Sequence, residues 1–225
     1  MSKLTRGKQG ESKVKDILSK IDVYHLVLND YTYINPKTKI SHQIDHILIH
    51  PYGVFIVETK NYYGTLDSNY GDSIWIKRVN GVESTITNPL IQNRSHRNII
   101  YHLLDKKYDC ISVVVLVRDN APYMPDDNVI NLSDLSLFID SYPYKKLLSK
   151  DDIDKIYLIL KQYESNISKK DHLSNIKKVK EKNKGILEDR RIAIEENRCP
   201  KCGNKITIKG YTYSCKKCGY HFELK

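Results

Sequence analysis

Two apolar, partly β-branched runs separated by four residues constrain this chain more than any other feature. Gln43–Ile49 and Val54–Lys60 flank His50-Pro51-Tyr52-Gly53. Proline at the second place and glycine at the fourth suit a type I turn, so the two runs read as a β-hairpin. Side chains alternate faces along a strand, so Glu58 and Lys60 project together, roughly 7 Å apart at the backbone. With Ile49 opposite Val54, Asp45 falls opposite Glu58 and joins the same patch. A slip of one residue would send Asp45 to the other face.

Two carboxylates on an otherwise apolar ribbon are costly unless something neutralises them. Salt bridges to Lys60 or to helix residues are one answer. A divalent cation is the more economical one, and magnesium or manganese suits carboxylate and water ligands. Such a site suits phosphodiester hydrolysis, because a bound metal lowers the pKa of its water and neutralises charge on the phosphate. Lys60 is placed to orient or help deprotonate that water and to stabilise the transition state. No P-loop, G-x-S-x-G or H-E-x-x-H competes for the chemistry.

The rest of the chain supplies helices and further strands. Val14, Ile17, Leu18 and Ile21 recur at helical spacing within Gly7–Ile21. Tyr24–Leu28 and Tyr31–Ile34 read as short strands separated by Asn29-Asp30. Gly64–Leu66 and Ile74–Val79 read as strands with a turn at Asn69–Asp72 between them. Asn88-Pro89 opens a helix from about Leu90 to Leu104. Ile111–Val117, the most hydrophobic run, reads as a central buried strand, succeeded by a Pro122–Asp127 loop and a strand at Val129–Leu132. Helices are expected at Asp134–Ser141 and Asp151–Glu164. The sum is an α/β fold, a mixed sheet with helices on its faces.

Charge is distributed unevenly. Residues 1–168 hold 21 Lys/Arg against 20 Asp/Glu, whereas residues 169–225 hold 16 against 7. Almost all of the net +10 therefore sits in the last quarter, as an electrostatic footprint for a polyanion would. Lys169–Arg198 is polar and Lys-rich, with a thin apolar stripe at Leu173, Ile176 and Val179, and reads as an exposed helix or a basic linker. Nothing approaches 18 consecutive apolar residues, and the first residues lack an apolar signal core, so a cytoplasmic protein without a membrane span is expected.

The tail ends in Cys199-Pro200-Lys201-Cys202-Gly203 and Cys215-Lys216-Lys217-Cys218-Gly219, a C-x2-C, twelve residues, C-x2-C pattern. Paired knuckles of this spacing place four thiolates around zinc, and a glycine after each pair permits the tight turn. So short a module builds little core, so its fold must depend on the metal. Lys201, Lys205, Lys209, Lys216 and Lys217, interleaved with Tyr211 and Tyr213, are candidates to grip phosphates and stack bases. A purely structural or protein-docking ribbon is the alternative. The module resembles the four-cysteine zinc ribbons at the C-termini of bacterial DNA topoisomerases. Cys110, ahead of a buried strand, reads as a small core residue.

An ordered series of residues also resembles a known family. Gly7-Lys8-Gln9-Gly10-Glu11, Gln43-Ile44-Asp45-His46-Ile47, Gly53-Val54-Phe55-Ile56-Val57-Glu58-Thr59-Lys60-Asn61, Gly64, Trp75 and Asn88-Pro89-Leu90-Ile91-Gln92-Asn93 resemble the nuclease-related domain of the PD-(D/E)xK nuclease superfamily. The superfamily's proline before the aspartate is replaced here by Ile44. The resemblance implies a restriction-endonuclease-like sheet between helices, with Asp45 and Glu58 as metal ligands and Lys60 as the catalytic lysine. It also implies Glu11 as an acidic accessory on the first helix and Gln92 as a polar contributor from the helix after Pro89. A C-terminal zinc ribbon is a familiar companion of this domain.

The expected organisation is a nuclease-type domain over 1–142, a helical extension and basic linker over 143–198, and the zinc ribbon over 199–225. The expected function is magnesium- or manganese-dependent hydrolysis of nucleic acid, DNA in preference to RNA, with the ribbon supplying grip or docking a protein partner. The rival is an adaptor that binds nucleic acid on an inactive nuclease fold. His46 alternates away from Asp45 and reads as structural. His96, one helical turn beyond Gln92, can share the site or pack on the helix surface. Trp75 reads as core, and Arg94 and Arg97 can face phosphate or water.

Overall fold

The computed structural model describes residues 3–69, 72–121 and 128–223, so the expected Pro122–Asp127 loop lies outside the described residues. Contacts divide the chain into two compact units, with the boundary between Ile167 and Ser168.

The first unit is built on a five-stranded sheet. Its strands are β1 (Leu26–Ile34), β2 (Ser41–His50), β3 (Gly53–Lys60), β7 (Cys110–Leu116) and β8 (Val129–Asn131), in the spatial order β1-β2-β3-β7-β8. The first three pair antiparallel, and β3, β7 and β8 run parallel, so the sheet is mixed as expected. Every residue of β7 is buried, Ser112 included, as its almost wholly apolar sequence requires of a strand covered on both faces.

Alternation sorts the side chains into two cores. On one face Ile47, Ile49, Val54 and Ile56 meet Ile100 and Leu104 of α2 (Pro89–Leu103) and its cap, and Ile153, Ile156 and Leu160 of α4 (Lys150–Tyr163). On the other, Leu48, Phe55, Val57, Val113 and Val115 meet Val14 and Leu18 of α1 (Lys3–Leu18) and Leu135 and Ile139 of α3 (Leu135–Asp140). Each fully buried Ile, Leu or Phe contributes about 2 kcal/mol of transfer free energy. α4 packs into the first core, and the chain from Ser168 onward belongs to the second unit.

Two elements differ from expectation. The strands expected on either side of Asn29-Asp30 are one strand, and Asp30 adopts a left-handed φ of 53° in its middle. Short polar side chains such as Asp tolerate that conformation. Pairing resumes at Tyr31 opposite Ile44 with the register unchanged. In addition, β4 (Thr65–Asp67) and β5 (Ile74–Val79) are joined by β6 (Val82–Thr87), a strand not expected from the sequence, into a separate antiparallel sheet. Asn80 and Gly81, both at positive φ, make the hairpin turn that closes Val79 on Val82. Trp75 of β5 is 1% exposed and packs with Leu66, Leu90 and Val114, which makes it core.

The second unit holds α5 (Lys169–Glu195), capped by the Ser168 side chain on Asp171 N–H, and a small sheet of β9 (Thr207–Lys209), β10 (Thr212–Ser214) and β11 (His221–Glu223) in the order β11-β10-β9. Among the described residues no helix is long and apolar enough to cross a membrane.

Candidate active site and thiolate centre

The hairpin has the register that its loop sets. Ile49 pairs with Val54 and His46 with Val57, and Asp45 is the next residue of β2 beyond that last pair. Asp30, in its left-handed turn, stands in β1 where a partner for Asp45 would be, so the ladder breaks beside Asp45 on that side too. The Asp45 side chain uses this freedom: its Oδ2 accepts the Thr59 backbone N–H at 2.8 Å.

Glu58, on the side of β3 that meets His96 of α2, is 2% exposed, and its Oε1 accepts from Lys60 Nζ at 2.5 Å. The other oxygen, Oε2, has no hydrogen-bond partner among the described residues; His96 Nδ1 faces it at 3.5 Å, too long for a good hydrogen bond. His96 itself is 5% exposed, so α2 turns it inward to the carboxylate. His42 meets the His96 ring edge to face at 6.1 Å.

The electrostatics reflect this crowding. Burial, then the nearby Glu58 charge, push the Asp45 carboxyl up to about 8, against the opposing Thr59 N–H and Lys60 ammonium; Glu11 adds a smaller push in the same direction. Burial works to raise Glu58 as well, but His96 and Lys60 outweigh it and hold this carboxyl below its ordinary range. Burial works to lower Lys60, but Glu58 and Tyr62 more than offset it, so its pKa is raised. The two acidic groups therefore act on each other, one with its pKa raised and the other with a buried oxygen to spare. The unpartnered Glu58 oxygen is a buried acceptor that a cation could satisfy.

The donor set fits magnesium or manganese, which take one or two carboxylates and complete their shells with water and phosphate oxygens. Among the described residues, no third carboxylate or histidine converges on Asp45 and Glu58 as tightly as the four thiolates do on one another.

Two α2 residues frame the site. Asn93 is fully buried, and its Nδ2 donates to the Ile56 and Val113 carbonyls at 2.8 and 2.9 Å. It thereby clips α2 across the joint between β3 and β7, and so fixes the helix that presents His96. Gln92 is exposed, rotated about 100° around the helix from Asn93. The sequence alone assigns Asn93 no role, although a polar residue at helical spacing from Leu90 and Ile100 on a buried stripe is the available signal. On the far side of the sheet His46, 2% exposed, bonds through Nδ1 to Asn29 Oδ1 at 2.7 Å, in keeping with a structural role. Arg97 donates to the Cys110 carbonyl, and burial pushes the Cys110 thiol up to about 12, as an inert core thiol requires.

In the second unit, the sulfurs of Cys199, Cys202, Cys215 and Cys218 all lie within 4.8 Å of one another. Cys199 and Cys218 are 3.6 Å apart, and Cys202 and Cys215 are 3.5 Å apart, far beyond a disulfide bond. A zinc ion about 2.3 Å from each of four sulfurs sets them about 3.8 Å apart, so the four cysteines fit a structural zinc site. The two knuckles repeat one design. Gly203 N–H bonds to the Cys199 carbonyl and Gly219 N–H to that of Cys215, with φ of 71° and 70° at the glycines, values that a side chain would oppose. The Asn204 backbone N–H, with neighbouring thiols assisting, pushes Cys202 down to about 6, towards the thiolate that a metal needs.

Lys201, Lys205, Lys209, Lys216 and Lys217 are all exposed on this unit, and Tyr211 is 76% exposed. Tyr213 is half-buried with one ring face stacked on Phe222 at 5.0 Å, where it braces the ribbon.

Comparison with known proteins gives two matches. The family model described as the nuclease-related domain matches residues 6–117. An uncharacterized protein of Bacillus anthracis is 34% identical over 159 residues, covering 68% of this chain and 74% of that protein. No solved structure matches.

Proposed function

On the footing that the chain belongs to the nuclease-related domain family, we propose that it is a metal-dependent nuclease that hydrolyses phosphodiester bonds, with DNA as the preferred substrate. The observation that carries this reading is the Lys60–Glu58 ion pair on β3, with Asp45 of β2 bound to the intervening Thr59 N–H and a buried Glu58 oxygen to spare.

Asp45 and Glu58 are the groups that would hold magnesium or manganese. When bound, the metal supplies an acidified water and charge neutralisation at the phosphate. The protein's own contribution is orientation. The Thr59 N–H fixes the Asp45 carboxylate, and Asn93 fixes the helix that sets His96 against Glu58. Lys60, protonated and only one-fifth exposed, holds its positive charge beside the carboxylates, where it can hydrogen-bond the attacking water and the phosphate oxygens as negative charge builds. Glu11 contributes negative charge from α1 and Gln92 a polar contact from the open side of α2. The four cysteines carry structural zinc, and the exposed lysines of the ribbon with Tyr211 supply sequence-independent grip.

The test is a manganese- or magnesium-dependent cleavage assay over single- and double-stranded DNA and RNA. Lys60→Ala and Asp45→Ala each lose at least roughly a thousandfold in rate while keeping the wild-type fold. A wild-type protein that binds these substrates and cleaves none of them makes the chain a nucleic-acid-binding adaptor on a nuclease fold.

A further inference from the structure

We propose that the groove between α1 and the ends of β3 and β7 seats a backbone phosphate of the nucleic-acid strand, gripped by Arg118 with Lys13 beside it. The inference rests on the nuclease reading of the neighbouring carboxylates and adds to it the place where the substrate is held. The groove encloses about 420 Å³ and is lined by Gln9, Ser12 and Lys13 of α1 and by Asn61, Val117 and Arg118. Two cations, two amides, a hydroxyl and no carboxylate make this lining complementary to an oxyanion.

Arg118 is held in advance of any ligand. Its Nε donates to Asn61 Oδ1 at 2.8 Å, and its guanidinium lies over the Tyr63 ring at 4.6 Å. Asn61 is oriented in turn, because its Nδ2 donates to the Arg6 carbonyl at 2.8 Å. Of the five guanidinium N–H groups the Nε–H is engaged by Asn61, and among the described residues the other four are left for phosphate oxygens. Among the described residues no carboxylate forms an ion pair with Arg118, so its charge is not already neutralised.

The position is as telling as the chemistry. Asn61 is the residue directly after Lys60, and Val117 N–H bonds to the Lys60 carbonyl at 3.0 Å. Gly10 brings α1 so close that a Cβ there would stand 3.2–3.3 Å from Val117, Asn61 and Thr59, and Thr59 is the residue whose N–H holds Asp45. The groove thus opens at the carboxyl ends of the parallel strands, where α/β sheets take their ligands. At about 3.3 Å per residue, Asn61 lies roughly 10 Å along the chain from Glu58, on the α1 side of the strand end, so a strand passing over that end can reach both. Residues 1–168 carry almost no net charge around an acidic site, so a polyanion needs local attraction here as well as in the tail.

The experiment measures binding of the full chain to fluorescein-labelled DNA oligonucleotides, single- and double-stranded, across a salt series, alongside the cleavage assay. Arg118→Ala is expected to weaken binding roughly tenfold, as loss of a charged hydrogen bond does, and to reduce the slope of log Kd against log salt by about one. Arg118→Lys should keep the slope and lose only part of the affinity. Should Arg118→Ala lower the melting temperature, Lys13→Ala on the exposed face of α1 carries the same test. Wild-type affinity and slope in both alanine variants overturn the groove while leaving a cleaving enzyme intact. Absence of cleavage in the wild type, with the Arg118 effect on binding present, overturns the nuclease reading and leaves the groove. Absence of any nucleic-acid binding overturns the groove outright.

Discussion

The two candidate metal sites are made in opposite ways. The carboxylates of the first unit stand on a sheet with an extensive apolar core of its own, in which Phe55, Val57 and Val113 are fully buried. The site is imposed by the fold, at the cost of two crowded acids and an orphaned oxygen. The thiolates of the second unit belong to a small cluster of Cys199, Ile206 and Cys215, with Phe222 buried nearby and a few half-buried neighbours, so there the ligands are much of the core. A rigid scaffold can tolerate a destabilised site kept for chemistry, whereas a ribbon too small to fold on apolar burial has to use its metal for structure.

Metal removal should separate the two most sharply. A strong chelator, or Cys199→Ser, is expected to unfold the ribbon, since structural zinc supplies on the order of 10 kcal/mol or more in modules of this kind. The first unit should keep its cooperative melt. Thiol-reactivity and calorimetry on the same sample check this, and a ribbon whose thiols stay protected without metal would remove the contrast.

Next in size is Asn93→Ala. It strips two buried carbonyls of their donor and should cost roughly 2–4 kcal/mol in the first unit, measured by denaturant melts, with cleavage impaired through a loosened α2.

Smaller, and dependent on pH, is the effect of Asp45→Asn without added metal. The Asp45 carboxyl titrates at about 8 in the folded protein and near 4 when unfolded, so the folded state holds the extra proton between those values and this group's contribution to stability falls as pH rises. Asp45→Asn should therefore match the wild type near pH 4 and melt progressively higher than it towards pH 8. Buried His46 and His50, pushed down to about 4 by desolvation, act on both proteins alike and lower stability as pH falls from about 6.5 to 4. A constant difference across that range would deny the Asp45 shift.

The same contrast explains what is legible in the sequence. The hairpin register and the shared face of Glu58 and Lys60 come from a period of two and one tight turn, both local, and the four-cysteine spacing is local too. The inward turn of His96 and the clip made by Asn93 are not, because the rotation of a helix against a sheet is set by packing rather than by its own sequence. The strand β6 escapes a sequence reading because Val82–Thr87 is exposed at nearly every position and so carries no alternation, although Asn80-Gly81 announces its turn. Asp30 reads as a strand break because its left-handed backbone is stabilised from outside, by the pairing on either side and by Gln43 Nε2 on its carboxylate.

Manganese binding to the zinc-loaded protein tests the central claim most directly, read by electron paramagnetic resonance and by the melting temperature of the first unit. The wild type should take up manganese with affinity that rises towards pH 8 and gain roughly 5–10 °C at a hundredfold excess over Kd. Asp45→Asn and Glu58→Gln should lose both responses. Equal manganese uptake by wild type and both variants, or none by any of them, would contradict a cation held between these two carboxylates.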